Sequence, residues 1–226
     1  GAGLVLVARG RESLEAAAAE LRLLGGRVDV LAADLADGAS AERMCAEALA
    51  HLGPIDILVN NVGGRREDLA LEDTSLADWQ RLMALNLESA AVCAQRLAGP
   101  MLQRGWGRVI NIASIAGPLV AMRGIRGRHY EAAKAALAGF TRAAAADWAP
   151  RGVTVNAICP GGFLTEPNLR WFRERPQFQA DFERDIPMGR LGQPVEVAPL
   201  AVYLASEASR YMTGALLVLD GGYTLW

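Results

Sequence analysis

Lysine is almost missing from this chain. Of its 23 basic residues one is lysine, Lys134, and all the others are arginine. Cysteine is scarce too: Cys45, Cys93 and Cys159 are widely spaced, odd in number and without a CxxC pair. This excludes a disulfide framework or structural zinc site, leaves no metal ligand set to propose, and fits a reducing cytoplasm. No apolar run approaches the roughly 18 residues of a membrane span, and no basic-then-apolar leader opens the chain, so neither a membrane segment nor a secretion signal is expected. Charge of one sign is also missing. A net −2 over 226 residues gives no bulk attraction to nucleic acid or an anionic membrane. With 52% apolar residues and no repeat or low-complexity linker, residues 1–226 read as a single globular, cytoplasmic domain.

What is present is an alternation. LVLVA (4–8), VDVLAA (28–33), IDILVN (55–60), RVINIA (108–113), VTVNAI (153–158) and ALLVLD (215–220) are apolar runs of strand length. Between them lie helical patterns at 13–24, stopped by Gly25-Gly26; from Asp37 or Ser40 to Gly53-Pro54; and at 75–104, 130–148 and 194–205. Strands that are apolar throughout and alternate with helices predict a parallel sheet covered on both faces, a doubly wound α/β fold. Residues 160–193 carry four prolines, Trp171 and four phenylalanines without clear periodicity, and read as a lid or binding element.

The lone lysine falls in HYEAAKAAL (129–137), four residues after Tyr130. On a helix those positions share a face. Free tyrosine ionises near pH 10, too high for acid–base work at neutrality. An ammonium at about 4 Å, in an effective dielectric of about 20, is worth about 4 kcal/mol, or roughly three pKa units before desolvation opposes it. Arginine would bring a broad planar fork in place of a compact three-donor head, which is a reason to keep lysine here.

Further pieces stand in order around that pair: ADL (33–35), NNVG (60–63), LNL with Asn86, NIAS ending at Ser114, YEAAK (130–134), CPGGFLT (159–165) and TGALLVLDGG (213–222). In this order and on these predicted elements they resemble the classical short-chain dehydrogenase/reductase family, from about residue 3 to the C-terminus. The resemblance implies a Rossmann-type sheet binding NAD(H) or NADP(H) at the carboxyl ends of its strands, and hydride transfer between the nicotinamide and a carbonyl or secondary alcohol. It implies that Tyr130 is the general acid/base, that Lys134 lowers its pKa and bonds the nicotinamide ribose, that Ser114 holds the substrate oxygen, and that Asn86 positions a proton-relay water. A short-lived alkoxide does need a proton donor, a group to aim it and a cation beside the phenolate. Plainer readings exist: Ser114 as a loop cap, Asn60-Asn61 with Gly63 as a turn, Asp34 as a helix cap, Pro160, Gly161 and Thr165 as loop punctuation. The resemblance instead gives cofactor contacts to Asp34, Leu35, Asn60, Asn61, Val62, Gly63, Pro160, Gly161 and Thr165. Ala8, where NAD-preferring members carry a carboxylate, is followed by Arg9 and Arg11, so Arg9 is expected to grip a 2′-phosphate and NADP(H) to be favoured, with NAD(H) possible.

The sequence departs from the family pattern in two places. It opens at the family's second strand: the first strand and its TGxxxGxG turn, which cradles the pyrophosphate, do not appear, and Gly1-Ala2-Gly3 is not that motif. A sheet without that central strand would expose two rows of unpaired backbone groups, each costing about 1–3 kcal/mol, and the expectation is one more βα unit upstream. The loop GPLVAMRGIRGR between Ser114 and Tyr130 is also slightly long. Arg123, Arg126 and Arg128 in that loop, Arg65-Arg66, and Arg170, Arg173 and Arg175 beside Trp171 predict an anionic substrate if they converge. The small-molecule substrate is expected to be a sugar acid or related polyol or keto acid; 3-oxoacyl-[acyl-carrier-protein] reduction is the alternative, and a catalytically inactive nucleotide-binding sensor the reading from another class. The family resemblance further implies a homodimer or homotetramer through 75–104, 130–148 and the last strand, with Ala145, Trp148 and Leu217 at or near interfaces.

Overall fold

The apolar runs form six strands: β1 (Leu4–Ala8), β2 (Val28–Ala32), β3 (Ile57–Asn60), β4 (Gly107–Ile112), β5 (Val153–Pro160) and β6 (Leu216–Leu219). The computed structural model of the chain describes residues 2–64 and 68–225. Every strand pairing is parallel, so each needs a crossover. The crossovers are helical: α1 (Arg11–Arg22), α2 (Gly38–Leu52), α3 (Leu76–Met83), α4 (Ser89–Arg104), α5 (Arg128–Trp148), α6 (Glu166–Glu174), α7 (Pro176–Arg184) and α8 (Ala198–Ala205). Asp37 caps α2 by accepting from Ser40 N at 3.0 Å.

The helices cover both faces of the central strands. Val153 and Val155 of β5 pack against Met101, Ala144 and Ala145 from α4 and α5, while Ile158 turns the other way, with Ile110, onto Leu204 of α8. Full burial of Val153, Val155 and Ile158 is worth about 1.5–3 kcal/mol each. That two-sided burial explains why these strands lack a polar face, apart from side chains such as Asn111 and Asn156 that bond inside the protein.

The strands form two sheets, β1-β2 and β3-β4-β5-β6, with no hydrogen bonds between them among the described residues. Helices α2 and α4 bridge them through one cluster that includes Leu31, Met44, Cys45, Cys93 and Leu97 and takes Val5 and Val7 from β1 and Leu58 from β3. On its other face β3 leaves Ile57 and Val59 exposed at 37% and 48%.

Two expectations need correcting. The stretch 75–104 is one helical run, but a π turn at Ala84–Glu88 interrupts it between α3 and α4. The segment 160–193 contains α6 and α7, nine residues each with a proline in the first turn; helices so short show too few turns for a 3.6-residue period to emerge. Ala145 is buried beneath β5 and Leu217 lies partly buried beside α8. Trp148 does border a surface hollow of about 410 Å³ with Leu102 and Phe140.

Candidate active site

The ladder between β4 and β5 continues past the strand ends: Ala113 N donates to Ile158 O at 2.8 Å and Ile115 N to Pro160 O at 3.1 Å. Ser114 is thereby fixed at the carboxyl end of the sheet, 9% exposed. Its Oγ accepts from Ala116 N at 3.0 Å, which leaves the hydroxyl proton to donate elsewhere.

Helix α5 crosses β5 on a face of small residues, Ala133, Ala138, Thr141, Ala144 and Ala145, with Leu137. That close approach carries Lys134 inward until 4% of it is exposed. Its Nζ donates to Ile112 O at 2.7 Å and lies 5.9 Å from the Tyr130 ring centroid. Burial pulls the Lys134 pKa down from 10.5 to about 8, with Cys159 acting in the opposite sense. Burial pushes the Cys159 thiol up, against the Ser114 backbone N–H and Lys134.

The π turn gives Asn86 its place. Such turns recur at functional sites because the extra residue re-aims side chains. Asn86, 1% exposed, accepts from Gly64 N at 2.8 Å and donates to Gly64 O and Leu82 O, each at 3.1 Å. The loop leaving β3 is thus clamped from below. A Cβ on Gly63 would stand 2.7 Å from Asn86 Oδ1 and 3.1 Å from Lys134 Nζ, so only glycine fits between the amide and the ammonium.

Arg9, Asn61, Gly63, Ser114, Tyr130, Lys134, Pro160, Gly161 and Thr165 line one cleft of about 1120 Å³. Other residues singled out in the sequence lie elsewhere. Asn60 donates to Asn111 Oδ1 at 2.9 Å, and Asn111 to Thr141 Oγ1 at 2.9 Å, a buried relay that ties β3, β4 and α5 together. Leu35 is buried in the bridging cluster and Val62 packs against it. The Asp34 carboxylate accepts from Ala36 N at 3.1 Å, while Asp37 is the carboxylate that caps α2. Asn86 sits behind Gly63 and Gly64.

The arginines scatter. Arg170 borders the cleft, Arg128 pairs with the buried Glu131, Arg173 with Glu166 and Arg175 with Asp68. Arg65 and Arg66 lie outside the described residues.

Some contributors were missed. Glu131, next to Tyr130, accepts from Met122 N at 3.2 Å and from Arg128 Nη1 at 2.7 Å, anchoring the loop that precedes α5; a GRHYE run with Arg and Glu three apart was the available signal. Gly117, at φ 99°, lies so close to that helix that a Cβ would fall 2.0 Å from Glu131 O. Over the cleft the lid places an aromatic wall. Phe178 stacks edge-on to Trp171 at 5.4 Å and contacts Phe182 at 5.9 Å, and Phe182 lies on Tyr223 at 5.0 Å. Asp68, also in the lining, accepts from two other segments at once.

Comparison with known proteins agrees with this architecture. A family model described as enoyl-(acyl carrier protein) reductase matches residues 1–224. Galactitol 2-dehydrogenase (L-tagatose-forming) of Cereibacter sphaeroides is 41% identical over 227 residues, covering 100% of this chain and 87% of the relative. A 3-oxoacyl-[acyl-carrier-protein] reductase of Synechocystis is 36% identical over 225 residues, 99% of this chain and 87% of its own. Among solved structures, a gluconate 5-dehydrogenase of Burkholderia cenocepacia in complex with NADP and tartrate superposes with a TM-score of 0.90 at 35% identity, covering 100% of this chain and 87% of that one. The chain belongs to the short-chain dehydrogenase/reductase family and is an NAD(P)(H)-dependent oxidoreductase of Rossmann type.

Proposed function

We propose that this cleft interconverts a secondary alcohol and a carbonyl on a sugar acid, polyol or related keto acid, with Tyr130 as general acid/base. The observation that carries the reading is the convergence of Ser114, Tyr130 and a buried Lys134 on one cleft, with the ammonium beside the tyrosine ring. Ser114 Oγ, already an acceptor toward Ala116 N, donates its proton to the substrate oxygen and aims it. Tyr130 gives a proton to that oxygen in reduction and takes one in oxidation. Lys134 stabilises the phenolate electrostatically, and the low dielectric around it strengthens that attraction. Asn86 holds the Gly63-Gly64 backbone against this group.

The residues present fit a nicotinamide nucleotide. Among the described residues Lys134 Nζ has one hydrogen-bond acceptor, Ile112 O, so two of its three N–H bonds remain for ribose hydroxyls. The bare Cα of Gly63 opens the space above it. When bound, the nicotinamide supplies or accepts the hydride. Asn61, Pro160, Gly161 and Thr165 would hold it along the cleft floor, and Arg9 would meet a 2′-phosphate. The complex of the gluconate 5-dehydrogenase relative with NADP supports the preference for NADP(H).

The open edges of β1 and β3, with Ile57 and Val59 uncovered, would accept one further parallel strand and its helix, bringing the pyrophosphate cradle. The hollow bordered by Leu102, Phe140 and Trp148 favours a homodimer or homotetramer. Three cysteines, all buried and free, favour the cytoplasm.

A second reading, 3-oxoacyl-[acyl-carrier-protein] reduction, is favoured by the apolar lining from Met122, Ile125, Phe172, Phe178 and Phe182. Initial rates on a panel of polyols, sugar acids, keto acids and β-keto thioesters, with NADP(H) and NAD(H) in both directions, separate the two. Turnover confined to the hydroxylated substrates supports the first; turnover confined to thioesters supports the second. Cofactor binding without turnover on any carbonyl or alcohol would overturn both and make the protein a nucleotide sensor.

A further inference from the structure

Asp68 follows the loop leaving β3 and reaches two segments far from it in the chain. Its Oδ1 accepts from Arg126 N at 2.8 Å, and its Oδ2 from Arg175 Nη1 at 3.0 Å. Each partner sits at a corner. Arg126 lies in the loop entering α5, one residue before Gly127, whose carbonyl accepts from Tyr130 N at 3.1 Å. Arg175 is the single residue joining α6 to α7, and its guanidinium lies 4.7 Å from the centre of the Trp171 ring, which in turn meets Phe178. Phe178 also lies against the α5-entry loop: a Cβ on Gly124 would come 3.5 Å from its ring. The Asp68 side chain is 17% exposed and that of Arg175 46%, so the pair is partly sheltered from solvent. Burial raises the carboxyl's pKa, and the Arg126 N–H together with Arg175 holds it below its ordinary value, so the group is an anion at neutral pH.

We propose that Asp68 is a positioning residue: one carboxylate ties the start of the catalytic helix to the corner of the lid, so that the aromatic wall closes over the substrate in register with Tyr130. From the rim of the cleft it acts through Arg126 and Arg175. This rests on the roles given above to Tyr130 and the lid.

The two bonds can be separated. Asp68→Asn keeps an acceptor for Arg126 N but loses the charge facing Arg175; Asp68→Ala loses both. Asp68→Asn and Arg175→Gln should each raise KM about three- to fivefold, the scale of a partly exposed ion pair, with kcat changed less than about twofold. The double variant should be no worse than either single, since both remove one interaction. Asp68→Ala should also lower kcat, because the entry of α5 is released. Arg173→Gln, which breaks the separate lid pair with Glu166, should change neither constant. A readout independent of turnover is trypsin cleavage after Arg170 and Arg173 in the full-length protein. Asp68→Asn should accelerate it severalfold while cleavage after the distant Arg22 keeps its rate. Lid cleavage unchanged in Asp68→Asn, or a double variant whose KM rises by the product of the single effects, would overturn the proposal. If no substrate of the panel turns over, the functional reading fails, and the trypsin result still decides the role of Asp68.

Discussion

Removing the only lysine should change the pH dependence of stability in a calculable way. The Lys134 pKa falls from 10.5 to about 8 in the folded protein, and at 4% exposure no solvent screening reduces the effect. At 1.36 kcal/mol per unit, keeping the ammonium charged costs the fold about 3 kcal/mol. Below pH 8 both states carry the proton and the cost is complete. Between pH 8 and 10.5 the unfolded chain binds more protons than the folded one, so this group's contribution to stability rises with pH. Lys134→Met removes the titration and, with it, the hydrogen bond to Ile112 O, a loss of about 1–3 kcal/mol that does not depend on pH. Urea unfolding of both proteins at about pH 7.5 and 9.5 gives four free energies. Wild type should gain about 2 kcal/mol relative to the variant between the two pH values, since titrations common to both cancel. At the lower pH the variant, freed of a buried charge, should be about as stable as wild type despite the lost bond. A stability difference that does not move with pH would refute the claim that this ammonium is desolvated.

Gly63→Ala should destabilise by about 1–3 kcal/mol, because its Cβ would strike Asn86, whose amide three hydrogen bonds hold in place; it should also weaken cofactor binding, read by thermal shift with and without NADPH. Arg9→Glu should lower the NADPH-to-NADH ratio of kcat/KM by about tenfold or more, through loss of a charge-assisted contact and gain of repulsion, and an unchanged ratio would remove Arg9 from the cofactor site.

The strands could be read from the sequence because burial on both faces leaves a continuous apolar run: LVLVA became β1 without a shift, and the other runs moved by one or two residues at their ends. The site residues spaced along loops and helix turns were legible as a resemblance, and most of them meet in one cleft. What local patterns could not show was long-range. Asn86, in the π turn, is bonded to Gly64, 22 residues away. Asn60 looks like a turn residue, yet its amide bonds Asn111 across the sheet. Asp68 sits in an ordinary loop sequence, and its role depends on a lid corner 107 positions later. The lid helices hid because each is only nine residues long with a proline in its first turn, and their apolar faces are aromatic clusters made only in three dimensions.

The account turns on Tyr130 as the proton donor and acceptor. The direct measurement pairs steady-state turnover with NADPH binding followed by fluorescence, for wild type and Tyr130→Phe. The account predicts that the variant loses at least about a hundredfold in kcat, in line with general acid–base catalysis, while binding NADPH within a few-fold of wild type. A variant that keeps turnover near the wild-type rate would contradict it.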